Sequence, residues 1–133
     1  MIFVDTGAFV ARHLERDQYH ERALDGWRRA RAHRIVTTSH VLDEALTLLG
    51  RRAGNAFAAE RGRRILTSHA LRLVRPDLED ELSAVTLFES FADQGVSFTD
   101  ALSFAVMRRL GIARVFGFDR HFALAGFELW PES

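Results

Sequence analysis

The chain has 133 residues, 47% of them hydrophobic and 27% charged, the size and balance of one ordinary domain able to bury a core without disulfides. Eighteen basic residues balance eighteen acidic ones, and a neutral total argues against a protein that coats nucleic acid through bulk charge. All the basic residues are arginine and there is no cysteine. The missing lysine removes Walker A phosphate loops and Schiff-base chemistry; the missing cysteine removes disulfide scaffolds, thiolate zinc sites and cysteine nucleophiles. No apolar run approaches the roughly 18 residues of a membrane span, and no basic stretch precedes the first apolar one, so a cytoplasmic protein without a signal peptide is expected.

Ile2-Phe3-Val4 reads as a buried strand that ends at Asp5-Thr6-Gly7, with a helix from about residue 8 to 15. Tyr19, Ala23, Trp27 and Ala30 share one face of a second helix. Residues 34–38 form the next strand, and Ser39 is expected to cap the helix that follows. In that helix Val41, Leu42, Ala45, Leu48 and Leu49 make an amphipathic stripe. The next predicted helix covers about 55–68, with Phe57, Ile65 and Leu66 inward. Leu71 to Val74 is a third strand, stopped by Pro76, and Leu82, Val85, Phe88 and Phe91 mark a helix ending near Gly95. Ser97-Phe98-Thr99-Asp100 opens a periodic helix through Leu110, with Gly111 as its terminator. A fourth strand covers 114–118 and ends at Asp119; a short helical turn closes at Gly126 and a last strand covers 127–130. No linker or repeat interrupts residues 1–133, so a single domain is expected. Strands separated by helices imply an α/β fold whose mainly parallel sheet is covered on both faces, with ligands bound beyond the carboxyl ends of the strands.

Acidic residues gather at those ends. Asp5 ends the first strand and Asp119 the fourth, Glu44 lies early in the helix after the second strand, and Asp100 lies in the first turn of the helix leading to the fourth. Asp43 and Glu44 are neighbours and point about 100° apart on a helix, so only one can join the cluster; the apolar stripe does not choose between them. Each acid alone has a structural explanation: a turn for Asp5, a solvated helix charge for Glu44, a capping box Ser97-x-x-Asp100, and a cap by Asp119. Together, four carboxylates repel one another unless a cation neutralises them. Oxygen-only ligation favours Mg²⁺ or Mn²⁺, and a pair of such ions about 4 Å apart suits water attack on a phosphodiester.

Val4-Asp5-Thr6-Gly7, Leu42-Asp43-Glu44-Ala45, Ser97-Phe98-Thr99-Asp100-Ala101 and Phe118-Asp119-Arg120-His121-Phe122 occur in an order and spacing that resemble the PIN domain, especially toxin nucleases of the VapC type. The resemblance covers nearly the whole chain. It implies a three-layer αβα sandwich and an acidic Mg²⁺ or Mn²⁺ site that cleaves single-stranded RNA. It further implies a homodimer and a small antitoxin whose tail blocks the site. It selects Glu44 over Asp43 and makes Asp5, Glu44, Asp100 and Asp119 the catalytic and metal-holding residues, Asp119 occupying the most variable of the four positions. Thr6 and Ser97 match hydroxyl positions beside the metal, and Arg120 is the best single arginine for the RNA backbone.

Arg12, Arg16, the group Arg51, Arg52, Arg61, Arg63 and Arg64, and the pair Arg108 and Arg109 also offer phosphate contacts, although most such residues are solvated faces. His121 is placed to act on a leaving group, but a packing or turn role is preferred for it and for His40. The aromatic residues are assigned to the core, with some available for a dimer face. A haloacid-dehalogenase phosphatase fails because Gly7 stands where its second acid belongs and because it uses a lysine. A receiver domain fails on the same missing lysine. A module that keeps the fold and only binds RNA or protein is the alternative to an enzyme.

Overall fold

A computed structural model describes residues 1–132. In chain order the elements are β1 (Ile2–Val4), α1 (Thr6–His13), α2 (His20–Ala30), β2 (Ile35–Thr38), α3 (Ser39–Ala53), α4 (Asn55–Leu66), β3 (Leu71–Val74), α5 (Leu78–Ser90), a 3₁₀ turn (Ala92–Gln94), α6 (Phe98–Leu110), β4 (Arg114–Phe116), α7 (His121–Leu124) and β5 (Glu128–Trp130). The five strands form one all-parallel sheet in the order β3-β2-β1-β4-β5. From β1 the chain therefore builds outward one way through β2 and β3, then restarts on the other side with β4 and β5. The right-handed crossover rule puts α1–α4 on one face and α5–α7 on the other. The crevice between β1 and β4, where the winding reverses, is where this class of sheet binds ligands.

The core follows the alternation of the strands. Phe3 pairs with Val115 and Val4 with Phe116, so Phe3 and Phe116 point to opposite faces. Phe3 meets Phe122 at 6.5 Å, and Phe122 meets Phe104 of α6 edge-on at 5.0 Å. On the other face Phe116 meets Trp27 of α2 at 5.3 Å, and Trp27 meets Phe9 of α1 at 5.4 Å. The Trp27 indole N–H is satisfied by the Ala8 carbonyl at 3.0 Å.

Helix ends depart from the sequence expectation in instructive ways. Thr38, not Ser39, caps α3: its backbone is still extended and its Oγ1 accepts the Val41 N–H at 3.1 Å, which makes Ser39 the first helical residue. Helix α1 starts at Thr6, directly after Asp5, and stops at His13. Strand β4 stops at Phe116, leaving Gly117 and Phe118 in the turn that leads to Asp119. Gly111 terminates α6 in the left-handed region (φ 69°).

Two apolar assignments turn out differently. Leu66 is 51% exposed rather than inward, while Phe57 and Ile65 are half-buried. On α5, Leu82 and Val85 face solvent beside Leu78, and Phe88 meets Phe98 edge-on at 5.7 Å with both residues partly exposed. Helix α5 packs on α6 through its other side, where Ala84 and Asp80 are buried. The Asp80 carboxylate holds Arg109 of α6 by two hydrogen bonds, 2.6 and 2.9 Å, and closes a capping box with Asp77. Arg109 is thereby a clamp between helices, not a free phosphate contact.

Candidate active site

The parallel ladder between β1 and β4 continues one step past the strands, where the Asp5 N–H donates to the Phe116 carbonyl at 2.9 Å. Asp5 is thus pinned at the carboxyl end of the central strand, and it is almost fully buried. Gly117 lies opposite. A Cβ at Gly117 would stand 3.0 Å from the Asp5 Cβ and 3.5 Å from its Oδ2, so only glycine leaves the Asp5 side chain its room.

Asp100 arrives from the first turn of α6. The Ser97 hydroxyl accepts the Asp100 N–H at 3.0 Å and so caps the helix. The expected box is only half formed, because among the described residues the Asp100 carboxylate does not reach back to Ser97, in contrast to the complete box of Asp77 and Asp80. The carboxylate is free to face the crevice. Asp119 accepts the His121 N–H at 2.9 Å, a cap that also fixes the turn. Its Oδ1 lies 3.2 Å from His121 Nδ1, which lies 3.4 Å from the Asp100 Oδ2. One carboxylate oxygen of Asp100, one of Asp119 and a ring nitrogen of His121 fall within 4.8 Å of one another. Glu44, in the second turn of α3, is half-buried and its charge acts on both Asp5 and Asp100; Asp43 is exposed.

Burial pushes the Asp5 carboxyl up to about 8, with the charges of Asp100, Asp119 and Glu44 adding to the rise and the Thr6 N–H opposing it. Burial also raises Asp100, helped by Asp119 and Glu44 and opposed by Ser97 and His121. Burial first, and then the neighbouring carboxylates, disfavour the charged form of both acids, and a bound cation would offset both effects. The Thr6 hydroxyl next to Asp5 is buried and has no hydrogen-bond partner among the described residues. A set of mutually repelling carboxylates with an orphaned hydroxyl, and with the His121 ring nitrogen close to two of them, fits a divalent cation. Arg120 is exposed at the start of α7.

Two residues here were assigned other roles from the sequence. His121 was assigned a packing or turn role, and its ring instead stands between Asp100 and Asp119. Gly117 was read as strand; a lone glycine one residue beyond an apolar run and two before an acid was the available signal.

A cavity of about 700 Å³ lies elsewhere, at the amino ends of β2 and β3 between α1, α2 and α4. Its floor includes Phe9, Leu24, Ile35 and Leu71, and its rim carries Arg12, Arg28, Arg31, Arg61 and Arg64. Asp25 stands 3.6 Å from Arg28, and Glu60 stands 2.9 and 2.7 Å from Arg61 and Arg64. His13 on the same rim is driven down to about 4 by burial and then by Arg12, Arg61 and Arg64.

An all-parallel sheet wound outward from β1, with acids collected at its switch point, defines a class of α/β domains with an acidic site at the carboxyl edge of the sheet. The PIN domain model matches residues 2–128, and the chain belongs to the PIN domain family. It is 39% identical over 134 residues to the 23S rRNA-specific endonuclease VapC20 of Mycobacterium tuberculosis, covering 99% of this chain and 100% of that protein. It is 30% identical over 138 residues to a VapC ribonuclease of Archaeoglobus fulgidus, covering 96% of this chain and 83% of that one. The crystal structure of M. tuberculosis VapC20, described as a sarcin-ricin loop cleaving toxin, superposes with a TM-score of 0.88 at 35% identity over 96% of each chain.

Proposed function

We propose that this protein is a VapC-type toxin: an endoribonuclease that depends on Mg²⁺ or Mn²⁺ and cuts a single-stranded loop of ribosomal RNA. The observation that supports the reading is the approach of Asp100, Asp119 and His121 to within 4.8 Å of one another at the carboxyl edge of the sheet, with Asp5 and Glu44 near enough for their charges to bear on the same crevice. The names of the relatives support the RNA substrate.

In this reading the four carboxylates hold the cation, and Thr6 completes or braces its surroundings. When bound, the cation lowers the pKa of a water and draws charge from the phosphate oxygens. The chain's own part is positional. The β1–β4 ladder fixes Asp5, the Ser97 cap aims Asp100, and the Asp119–His121 bond holds the turn. Water attack forms one P–O bond and breaks the bond to the 3′-oxygen, which takes up a proton, so the products carry 5′-phosphate and 3′-hydroxyl ends. The 2′-hydroxyl takes no part, and preference for RNA comes from binding.

Two partners belong to the proposal. A second copy of the chain covers the apolar face of Leu78, Leu82 and Val85, with the Phe88–Phe98 pair at its edge; an exposed patch of this kind on a small soluble domain marks an interface. The second partner is a small antitoxin whose tail blocks the acidic crevice, and the arginine-rimmed cleft, with its apolar lining, offers a further surface for an amphipathic segment of it. The test of the activity is cleavage of an RNA hairpin bearing the sarcin-ricin loop in Mg²⁺ or Mn²⁺. Metal-dependent cuts that are lost in Asp100→Asn support it. Failure to cut this and several other RNAs, with no metal bound, would leave the binding-module alternative.

A further inference from the structure

We infer that the stacked rings of Tyr19 and Phe118, with Arg22 beside them, form a platform for a nucleobase next to the cut. The inference rests on the RNA-cleaving reading and adds the residues that hold the substrate there.

The crevice has a binding problem. Its four carboxylates offer a phosphate chain no attraction of their own, so affinity beyond what a bound cation supplies must come from neighbouring groups that tolerate or attract RNA. The aromatic pair adjoins the crevice on two sides. Phe118 is bonded to Asp119 in sequence, and its Cδ2 lies 3.5 Å from where a Cβ on Gly7 would stand, at the Asp5-Thr6-Gly7 corner. Tyr19 lies on Phe118 with centroids 4.4 Å apart and planes within 7°. Both rings are half-buried, although most phenylalanines of the two core faces are fully buried.

The pair is held rigidly. The Tyr19 N–H donates to Asp17 Oδ1 at 2.8 Å, and the other oxygen of Asp17 stands 3.5 Å from Arg52 of α3. The Arg22 guanidinium carbon is 5.6 Å from the Tyr19 centroid and 5.3 Å from that of Phe118. Nearly equal distances to two stacked rings place the guanidinium beside the stack, not over the outer face of either ring. Arg22 makes no ion pair among the described residues. A splayed base can stack on Tyr19, and Arg22 is placed for the phosphate that follows it. Such stacking accepts any base and changes affinity by roughly five- to 150-fold. Sequence choice would then come from how easily the loop gives up that base.

The test uses the full chain, a hairpin RNA carrying the sarcin-ricin loop, and the same RNA with one abasic nucleotide placed in turn around the cut. The platform predicts that one abasic position raises the wild-type KM roughly five- to 150-fold while kcat changes little. Tyr19→Leu raises the KM on intact RNA by a similar factor and loses nothing further on that abasic RNA; Tyr19→Phe stays near wild type, and Arg22→Gln raises KM at unchanged melting temperature. Wild-type protein indifferent to every abasic position overturns the platform, whatever Tyr19→Leu does to folding. So does a Tyr19→Leu loss that simply multiplies the abasic loss at each position. Absence of metal-dependent cleavage of any RNA by the wild type would instead remove the nuclease reading on which the platform stands.

Discussion

Gly117 and Asp5 face each other across the first step beyond the β1–β4 ladder, and a methyl group on Gly117 would lie 3.0 Å from the Asp5 Cβ. The contact links chain topology to chemistry, because the room needed by the most buried acid of the site is supplied by the neighbouring strand's exit.

Gly117→Ala is expected to shift Asp5 by a few tenths of an ångström. Overpacking of this kind costs about 1–3 kcal/mol, and a misplaced site group can cost up to about 100-fold in rate. The variant should keep its fold and metal-dependent cleavage while kcat falls at least tenfold, on the order expected for misplacement. Thermal unfolding and single-turnover kinetics check both parts.

Asp5 predicts an unusual pH profile of stability in metal-free protein. Its folded pKa is about 8, above the unfolded value of about 3.9. Between these values the folded chain binds more protons than the unfolded one, so stability falls as pH rises from about 4 to 8. Asp100 is raised as well and adds to the same slope. Melting curves across this range should show the decline, Asp5→Asn should flatten it, and added Mn²⁺ should restore stability most at the alkaline end, with proton release on binding.

The sequence announced most of this fold. Short β-branched and aromatic runs alternating with helical periods carried the α/β assignment, and the strongly periodic helix from Phe98 to Leu110 lay as expected. What was not legible depended on tertiary partners. The stripe of Leu82 and Val85 has helical spacing, and spacing alone does not say whether the partner is the chain's own core or another surface. Cap positions shifted by one residue because Thr38 and Ser39 are equally able to cap, and only the backbone dihedrals choose. Within the site, Asp5 and Asp100 could be named from strand ends and a helix start. The place of His121 between Asp100 and Asp119 depends on how the turn after β4 folds back, which no local pattern encodes.

The Asp80–Arg109 clamp should matter for stability and not for chemistry. Arg109 holds Asp80 below the usual carboxylate range, and the Asp77 N-cap adds to this. Its contribution is therefore present above the unfolded pKa of about 3.9 and fades as pH falls below it. Asp80→Ala is expected to cost about 2 kcal/mol, less than a fully buried pair because Arg109 is half in solvent. Urea unfolding measures the loss, and cleavage by the folded variant should be unchanged.

The outer face of α5 predicts a dimer. Leu82→Arg combined with Val85→Glu should leave the melting temperature within a few degrees and convert the protein to a monomer, because both side chains already face solvent. Sedimentation velocity of wild type and variant gives the answer, and a wild-type monomer at high concentration would sink this part of the account.

The central claim is that Asp5, Glu44, Asp100 and Asp119 make a divalent-metal nuclease. The most direct measurement is end-mapping of RNA hairpins carrying the sarcin-ricin loop after incubation with the protein in Mn²⁺ or Mg²⁺, with chelator and Asp100→Asn alongside. The account predicts cuts bearing 5′-phosphate and 3′-hydroxyl ends that vanish with chelator and fall by at least a hundredfold in the variant, on the order of losing a transition-state charge stabiliser. Cleavage that survives the chelator, leaves 2′,3′-cyclic ends, or persists at full rate in Asp100→Asn would contradict it.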